Sequence, residues 1–141
     1  MSEDERKRLA IVVHGGTIDK LYCAFILAST AVATDMEAHL YFTFWGLQML
    51  VKGAMETAGL SATYRHLEGM MRKNLERMKY PTPYDMLKRL KQSELFKMYA
   101  CSPSMEMFGI KRKDLIPEVE EIIGAATFLE IASKADVTLF I

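Results

Sequence analysis

Five consecutive apolar residues, Leu9-Ala10-Ile11-Val12-Val13, run directly into His14-Gly15-Gly16, and an Ala- and Leu-rich stretch follows from Ile18 to Val32. A strand that is apolar at every position, rather than at every second one, needs cover on both faces. A parallel sheet with helices above and below provides that cover. The stretch 18–32 has no internal Gly or Pro, and its apolar residues spread over much of the circumference. That is the pattern of a helix packed deeply on a sheet. Thr17 is placed to cap it.

The alternation continues. Thr34-Asp35 is a turn, His39 to Phe44 a second apolar strand closed by Trp45-Gly46, and Leu47 to Ala58 a second helix that Gly53 weakens. Leu95 to Ala100 is a third strand. Cys101-Ser102-Pro103-Ser104 turns it into a short helix ending near Gly109. Lys111 to Glu118 is a connector with room for a short strand, Ala125 to Lys134 is the last helix, and Val137 to Ile141 is a final buried strand. The fold class is therefore α/β: a three-layer α/β/α sandwich around a mostly parallel sheet of four or five strands, joined by right-handed crossovers.

The 141 residues make one domain, 1–141, in which 59–92 is the least regular part. We read there a loop, a helix near Met70 to Met78, a break at Tyr80-Pro81-Thr82-Pro83, and a helix from Tyr84 to Gln92 with Thr82 as its cap. Residues 65–91 mix basic side chains with methionines. They read as a solvated amphipathic helix pair, or as a mobile helical insertion that covers the cysteine or docks a partner.

Charge excludes one class of function. Lys plus Arg and Asp plus Glu number 18 each, so the chain lacks the basic surplus that phosphate neutralisation demands of a nucleic-acid binder. A net charge of zero also gives little protection against self-association, which favours a homo-oligomer. The first residues, Met1 to Arg8, are charged with both signs and lack the apolar run of a signal peptide. No run reaches the length of a membrane span, so a cytoplasmic protein is expected.

In an open parallel sheet, ligands gather beyond the carboxyl ends of the strands. That rule selects His14-Gly15-Gly16-Thr17, Phe44-Trp45-Gly46 and Cys101-Ser102-Pro103-Ser104. Ser102 and Pro103 suit a helix start, which sets Cys101 just before a helix N-terminus, where thiolate is favoured over thiol. The hydroxyls of Ser102 and Ser104 can face a bound anion, and His14 can titrate beside the thiolate. The alternative for Cys101 is a small buried hydrophobe. Cys23, inside the first helix, reads as a core cysteine. The His14–Thr17 turn can offer backbone N–H groups to an anion, but it is neither G-x-G-x-x-G nor a P-loop, so no nucleotide cofactor is expected. The bland reading is a tight turn in which glycine tolerates unusual dihedrals. Trp45 packs in the core or walls a pocket or an oligomer interface. His39 and His66 have no partner visible in the sequence, and the three histidines and two cysteines show no metal-ligand spacing.

Gly16-Thr17-Ile18-Asp19, Ile26-Leu27-Ala28, Phe42-Thr43-Phe44-Trp45-Gly46-Leu47, Ala100-Cys101-Ser102-Pro103-Ser104-Met105, Gly109-Ile110, Ala126-Thr127-Phe128-Leu129-Glu130 and Ala135 to Ile141 follow one another in an order and spacing that cover nearly the whole chain. Together they resemble the DsrE/DsrF-like superfamily, in particular its DsrE2-type and archaeal sulfur-trafficking branches. The resemblance implies a flavodoxin-like sheet topology and homo-oligomers. It also implies a cysteine, Cys101 here, that carries sulfane sulfur as a persulfide or a thiosulfonate. The partners it implies are TusA-like carriers or rhodanese-like sulfurtransferases, besides small sulfur anions. Some relatives have a second cysteine near the end of the first strand; here Val13 and His14 stand there, which points to a single-thiol relay.

Three functions stay open at this stage. One is a sulfur carrier or sulfurtransferase. Another is a thiol-dependent, peroxiredoxin-like oxidoreductase built on the C-x-x-S arrangement. The last is a non-catalytic subunit that binds a small anion.

Overall fold

The computed structural model describes residues 5–141; residues 1–4, part of the N-terminal stretch read above, lie outside the described residues. The strands are β1 (Arg8–Val13), β2 (Glu37–Phe42), β3 (Phe96–Cys101), β4 (Glu121–Ile123) and β5 (Val137–Phe140). The helices are α1 (Ile18–Ala33), α2 (Phe44–Gln48), α3 (Ala54–Thr57), α4 (Glu68–Arg77), α5 (Pro83–Leu90), α6 (Ser102–Phe108) and α7 (Ala125–Ala132).

All five strands are parallel, in the order β4-β3-β2-β1-β5. The chain steps outward from β1 to β4 and then returns to lay β5 beyond β1. Parallel register fixes which side chains share a face. Leu9, Ile11, Val13, Leu40, Phe42, Met98 and Ala100 form one core with α1 and α5. Ala10, Tyr41, Tyr99 and Cys101 form a second with Phe128 of α7. The unbroken apolar character of β1 follows from this burial on both faces.

Local chemistry accounts for several boundaries. The Thr82 hydroxyl accepts from Asp85 N at 3.1 Å, with Pro83 at the first helical position, a cap worth about 1 kcal/mol. Gly109 ends α6 at φ +66°, a conformation that L side chains rarely adopt.

The structure corrects four expectations. Leu47 to Ala58 is not one helix: α2 already begins at Phe44, and Gly53 at φ +84° breaks the chain before α3. The short strand lies at Glu121–Ile123, beyond the connector 111–118. The last strand is not buried, because β5 is an edge strand paired only with β1, and all four of its residues are exposed. Cys23 is not a core residue: α1 buries Leu21, Ala24, Phe25 and Ala28, and the helical period leaves Cys23 exposed. The middle region packs against α1, across the sheet from Cys101, and α4 has no buried residue. Among the described residues no helix is long and apolar enough to cross a membrane.

Candidate functional site

The strand order makes β1, β2 and β3 neighbours, so the turns that follow them touch. Gly46 N donates to His14 O at 2.9 Å, and Thr43 N donates to Val13 O at 3.0 Å. The contact is close because two glycines permit it. A Cβ on Gly46 would fall on the Val13 carbonyl oxygen, and one on Gly16 would lie 2.8 Å from Trp45 Cβ. Phe44 holds φ at +50°, a left-handed conformation that strains an aromatic residue by about 1–3 kcal/mol. Its N–H points at Ser104 Oγ, 3.0 Å away.

Cys101 is 6% exposed and is the N-cap residue of α6, with Ser102 and Pro103 in the first turn. Its sulfur faces oxygen atoms rather than carbon alone. Ser104 Oγ donates to Cys101 Sγ at 3.2 Å. Thr43 Oγ1 lies 3.1 Å from the same Ser104 oxygen. A hydroxyl has one proton and two acceptor positions. Phe44 N–H fills one acceptor position, and the Ser104 proton is directed at the sulfur. Tyr41 is the third hydroxyl. It sits on the same face, two residues away in register, and its oxygen is directed toward Cys101 without completing a hydrogen bond of good geometry. A buried hydroxyl left so costs about 1–3 kcal/mol.

Burial pushes the Cys101 thiol up, but the hydroxyls of Ser104, Thr43 and Tyr41 and the Ser104 N–H outweigh it, and the thiol ends below its ordinary range. Burial, then the neighbouring sulfur, pushes the Tyr41 phenol far up, so it stays a neutral donor. The Ser104 hydroxyl carries the local effect, while α6, at seven residues, is a short source of helix dipole.

The remaining expected residues lie nearby without reaching the sulfur. Ser102 is exposed. The His14 ring packs between Phe44 and Phe140, at 5.2 and 5.4 Å, and no hydrogen bond joins it to Cys101. Gly15 N is used by Ile141 O at 3.1 Å. Thr17 occupies the cap position of α1, yet its hydroxyl makes no cap bond and is buried without a protein partner. Trp45 is not in the core: it is 54% exposed and rests on Phe108 at 5.3 Å. Cys101 itself lies two strands from β1, where the strand order reverses.

His39 has two partners, Glu37 on its own strand and Tyr99 on the neighbouring β3. Its Nε2 lies 2.8 Å from Glu37 Oε1 and its Nδ1 2.7 Å from the Tyr99 hydroxyl. A carboxylate only accepts, so Nε2 carries the proton and the Tyr99 hydroxyl donates to Nδ1. Arg8 completes the chain at 3.1 Å from Glu37. A separate cleft of about 360 Å³, lined by Ile18, Tyr22, Met55, Arg72, Leu75 and Tyr80 among others, contains no cysteine and lies on the α1 side of the sheet. Among the described residues no three His, Cys, Asp or Glu side chains gather as metal ligands would.

Comparison with known proteins adds to this geometry. The chain matches the DsrE/DsrF/DrsH-like family over residues 5–91 and 59–140, which together span nearly all of it. It belongs to that family. Among DsrE-like relatives, the sulfur carrier protein DsrE2 of Allochromatium vinosum is 33% identical over 159 aligned positions, covering 97% of this chain and 99% of the relative. The uncharacterized YrkE of Bacillus subtilis is 28% identical, covering 98% and 99%. Solved structures share the DsrE-like fold. MTH1491 of Methanobacterium thermoautotrophicum, of unknown function, superposes with a TM-score of 0.65 at 10% identity, covering 96% of this chain and 99% of that one. YchN of E. coli gives 0.63 at 16%, with the same coverage.

Proposed function

We propose that this DsrE-like protein is a sulfur carrier in which Cys101 takes up sulfane sulfur and yields it to a partner thiol. The observation that carries the reading is the setting of the thiol: one buried cysteine at the carboxyl edge of β3, beside the hydroxyls of Ser104, Thr43 and Tyr41, with its pKa lowered. Such a setting favours an anionic sulfur and keeps bulk water from it. The family and the relative named as a sulfur carrier support a sulfur-related role.

The reaction needs one thiol. Cys23 lies on α1, which covers the opposite side of the sheet, and the two cysteines are free. A resolving disulfide between them would require bringing together residues that the sheet separates. This weighs against a two-cysteine oxidoreductase cycle. The exposed rings of Phe44, Trp45 and Phe140 beside the site suit a docking face for a TusA-like or rhodanese-like donor or acceptor.

Intact-mass spectrometry tests the reading. Reduced protein is exposed to polysulfide, thiosulfate or tetrathionate, beside Cys101→Ser and Cys23→Ser. The expected result is a persulfide or thiosulfonate adduct that survives in Cys23→Ser, vanishes in Cys101→Ser, and is removed by a second thiol. The absence of any adduct on Cys101 with every donor would sink the proposal.

A further inference from the structure

Tyr41 presents a contradiction that the resting site does not resolve. It is 5% exposed, its ring stacks on Phe128 at 4.5 Å and 9°, and its hydroxyl is buried and makes no hydrogen bond of good geometry. Phenylalanine would fill the same volume without burying an unpaired polar atom. The flat stack on Phe128 and the β2–β3 register hold the ring, so the hydroxyl cannot swing out to water. It stays directed at the region beside Cys101.

We propose that Tyr41 binds the outer sulfur of the Cys101 persulfide: its hydroxyl, unpaired while Cys101 is a thiol, donates to the terminal sulfur once one is attached. The inference rests on the carrier reading above. An added sulfur stands about 2.05 Å beyond Sγ. Ser104 already serves Sγ, so a different donor is needed for the second atom. Tyr41 lies on the same face, diagonal to Cys101, and is the partly idle donor of the cluster. The loading step balances without an outside oxidant. The Cys101 thiolate attacks the terminal sulfur of a donor hydropersulfide, the Sγ–S bond forms, the donor S–S bond breaks, and the donor leaves as a thiolate. The proton on the transferred sulfur passes to that leaving group. The donor is reduced to a thiol, Cys101 is oxidised to a persulfide, and the new anion takes the Tyr41 hydrogen bond. The charge is held by neutral donors alone.

The test compares Tyr41 with Tyr41→Phe, both carrying Cys23→Ser so that the exposed thiol does not load. Each is loaded with inorganic tetrasulfide, desalted, and followed by intact mass. The mass of one added sulfur should appear on both. The Phe variant should lose it about tenfold faster, the size expected for one hydrogen bond to a charged sulfur. Its outer sulfur should also react with an alkylating agent along a pH profile displaced to higher pH. A structural role predicts that removing the hydroxyl weakens the unloaded fold. Here the unloaded Phe variant should melt no lower than its parent, and loading should raise the melting temperature of the parent alone. Equal lifetimes and superimposable pH profiles would overturn the role of Tyr41 while leaving the carrier reading in place. Failure of the parent to load would overturn both. Should the Phe variant fold poorly, the comparison of loaded with unloaded parent still decides: no rise in melting temperature on loading counts against the bond.

Discussion

Ser104 Oγ stands 3.2 Å from Cys101 Sγ and turns its only proton toward it, while Phe44 N–H donates to that oxygen and the Thr43 hydroxyl lies 3.1 Å from it. The thiol is tuned by a chain of donors running from a strained backbone residue to a sulfur.

Ser104→Ala should therefore raise the Cys101 pKa, since burial is then opposed by fewer donors. At neutral pH, alkylation of Cys101 in a Cys23→Ser background should slow about tenfold, the scale of one hydrogen bond to a charged group. A rate-against-pH curve that does not move would show that the Ser104 proton is not directed at the sulfur.

Gly46→Ala should damage the fold, because Gly46 is buried where the turns after β1 and β2 meet. Its new Cβ would meet the Val13 backbone carbonyl, which cannot turn aside as a flexible side chain can. A loss of more than about 2 kcal/mol in urea unfolding is expected, with loss of the rigid contact between the β1 and β2 turns. Wild-type stability in this variant would refute the close packing of the two turns.

Stability should fall in acid in two stages. Burial lowers the His39 pKa below the 6.5 of an ordinary histidine, so as pH falls below that value the unfolded chain takes up a proton that the folded one resists. Burial tends to raise the Glu37 carboxyl, but His39 and Arg8 outweigh it and hold it below 4.5, so its contribution, present above that value, is lost on further acidification. Urea midpoints measured across pH should decline first below about 6.5 and again below about 4.5. His39→Leu should lower stability at neutral pH by leaving the Tyr99 hydroxyl unpaired and Glu37 with Arg8 alone, and should abolish the first decline. A midpoint that stays level from neutral pH down to 4.5 would contradict a buried neutral His39.

The β5 edge should pair with a second copy of the chain. Val137, Leu139 and Phe140 are exposed on a strand with one free side, an arrangement that monomers blunt with charge or proline. Light scattering after gel filtration should give a mass above that of one chain, and Val137→Lys with Leu139→Lys should return it to one. A monomeric wild type would end this expectation.

The sequence made the layered sheet legible because β1 is apolar without a break from Leu9 to Val13, β2 ends in the apolar run Leu40-Tyr41-Phe42, and α1 has no breaker. The Thr82-Pro83 start of α5 could be read directly, since capping is local chemistry. Cys23 was also within reach: Leu21, Ala24, Phe25 and Ala28 set the buried face of α1, and position 23 falls off it. Tyr41 and Thr43 were not. On a strand buried on both sides no alternation tells one face from the other, and the partners of these residues lie on β3 and α6, some 60 positions along the chain. The same holds for His39, joined to Tyr99 across |i−j| = 60. The exposure of β5 depends on strand order, which nothing in its own apolar letters contains.

The two sides of the sheet are not equally secured. One carries α1 and α5, with Leu21, Phe25, Leu87 and Leu90 buried among others, whereas α7 buries Phe128 and only half-buries Ile131 and Ala132. Detaching α7 would uncover Phe128 and the small cluster of Ala10, Tyr41, Tyr99 and Cys101 beneath it, far less apolar surface than unfolding the chain. The helix resting on Tyr41 is thus the less secured cover of the sheet, and whatever is held beneath it depends on that one helix staying in place. A sulfur bound there would be sheltered by one phenylalanine, not by the stability of the whole domain.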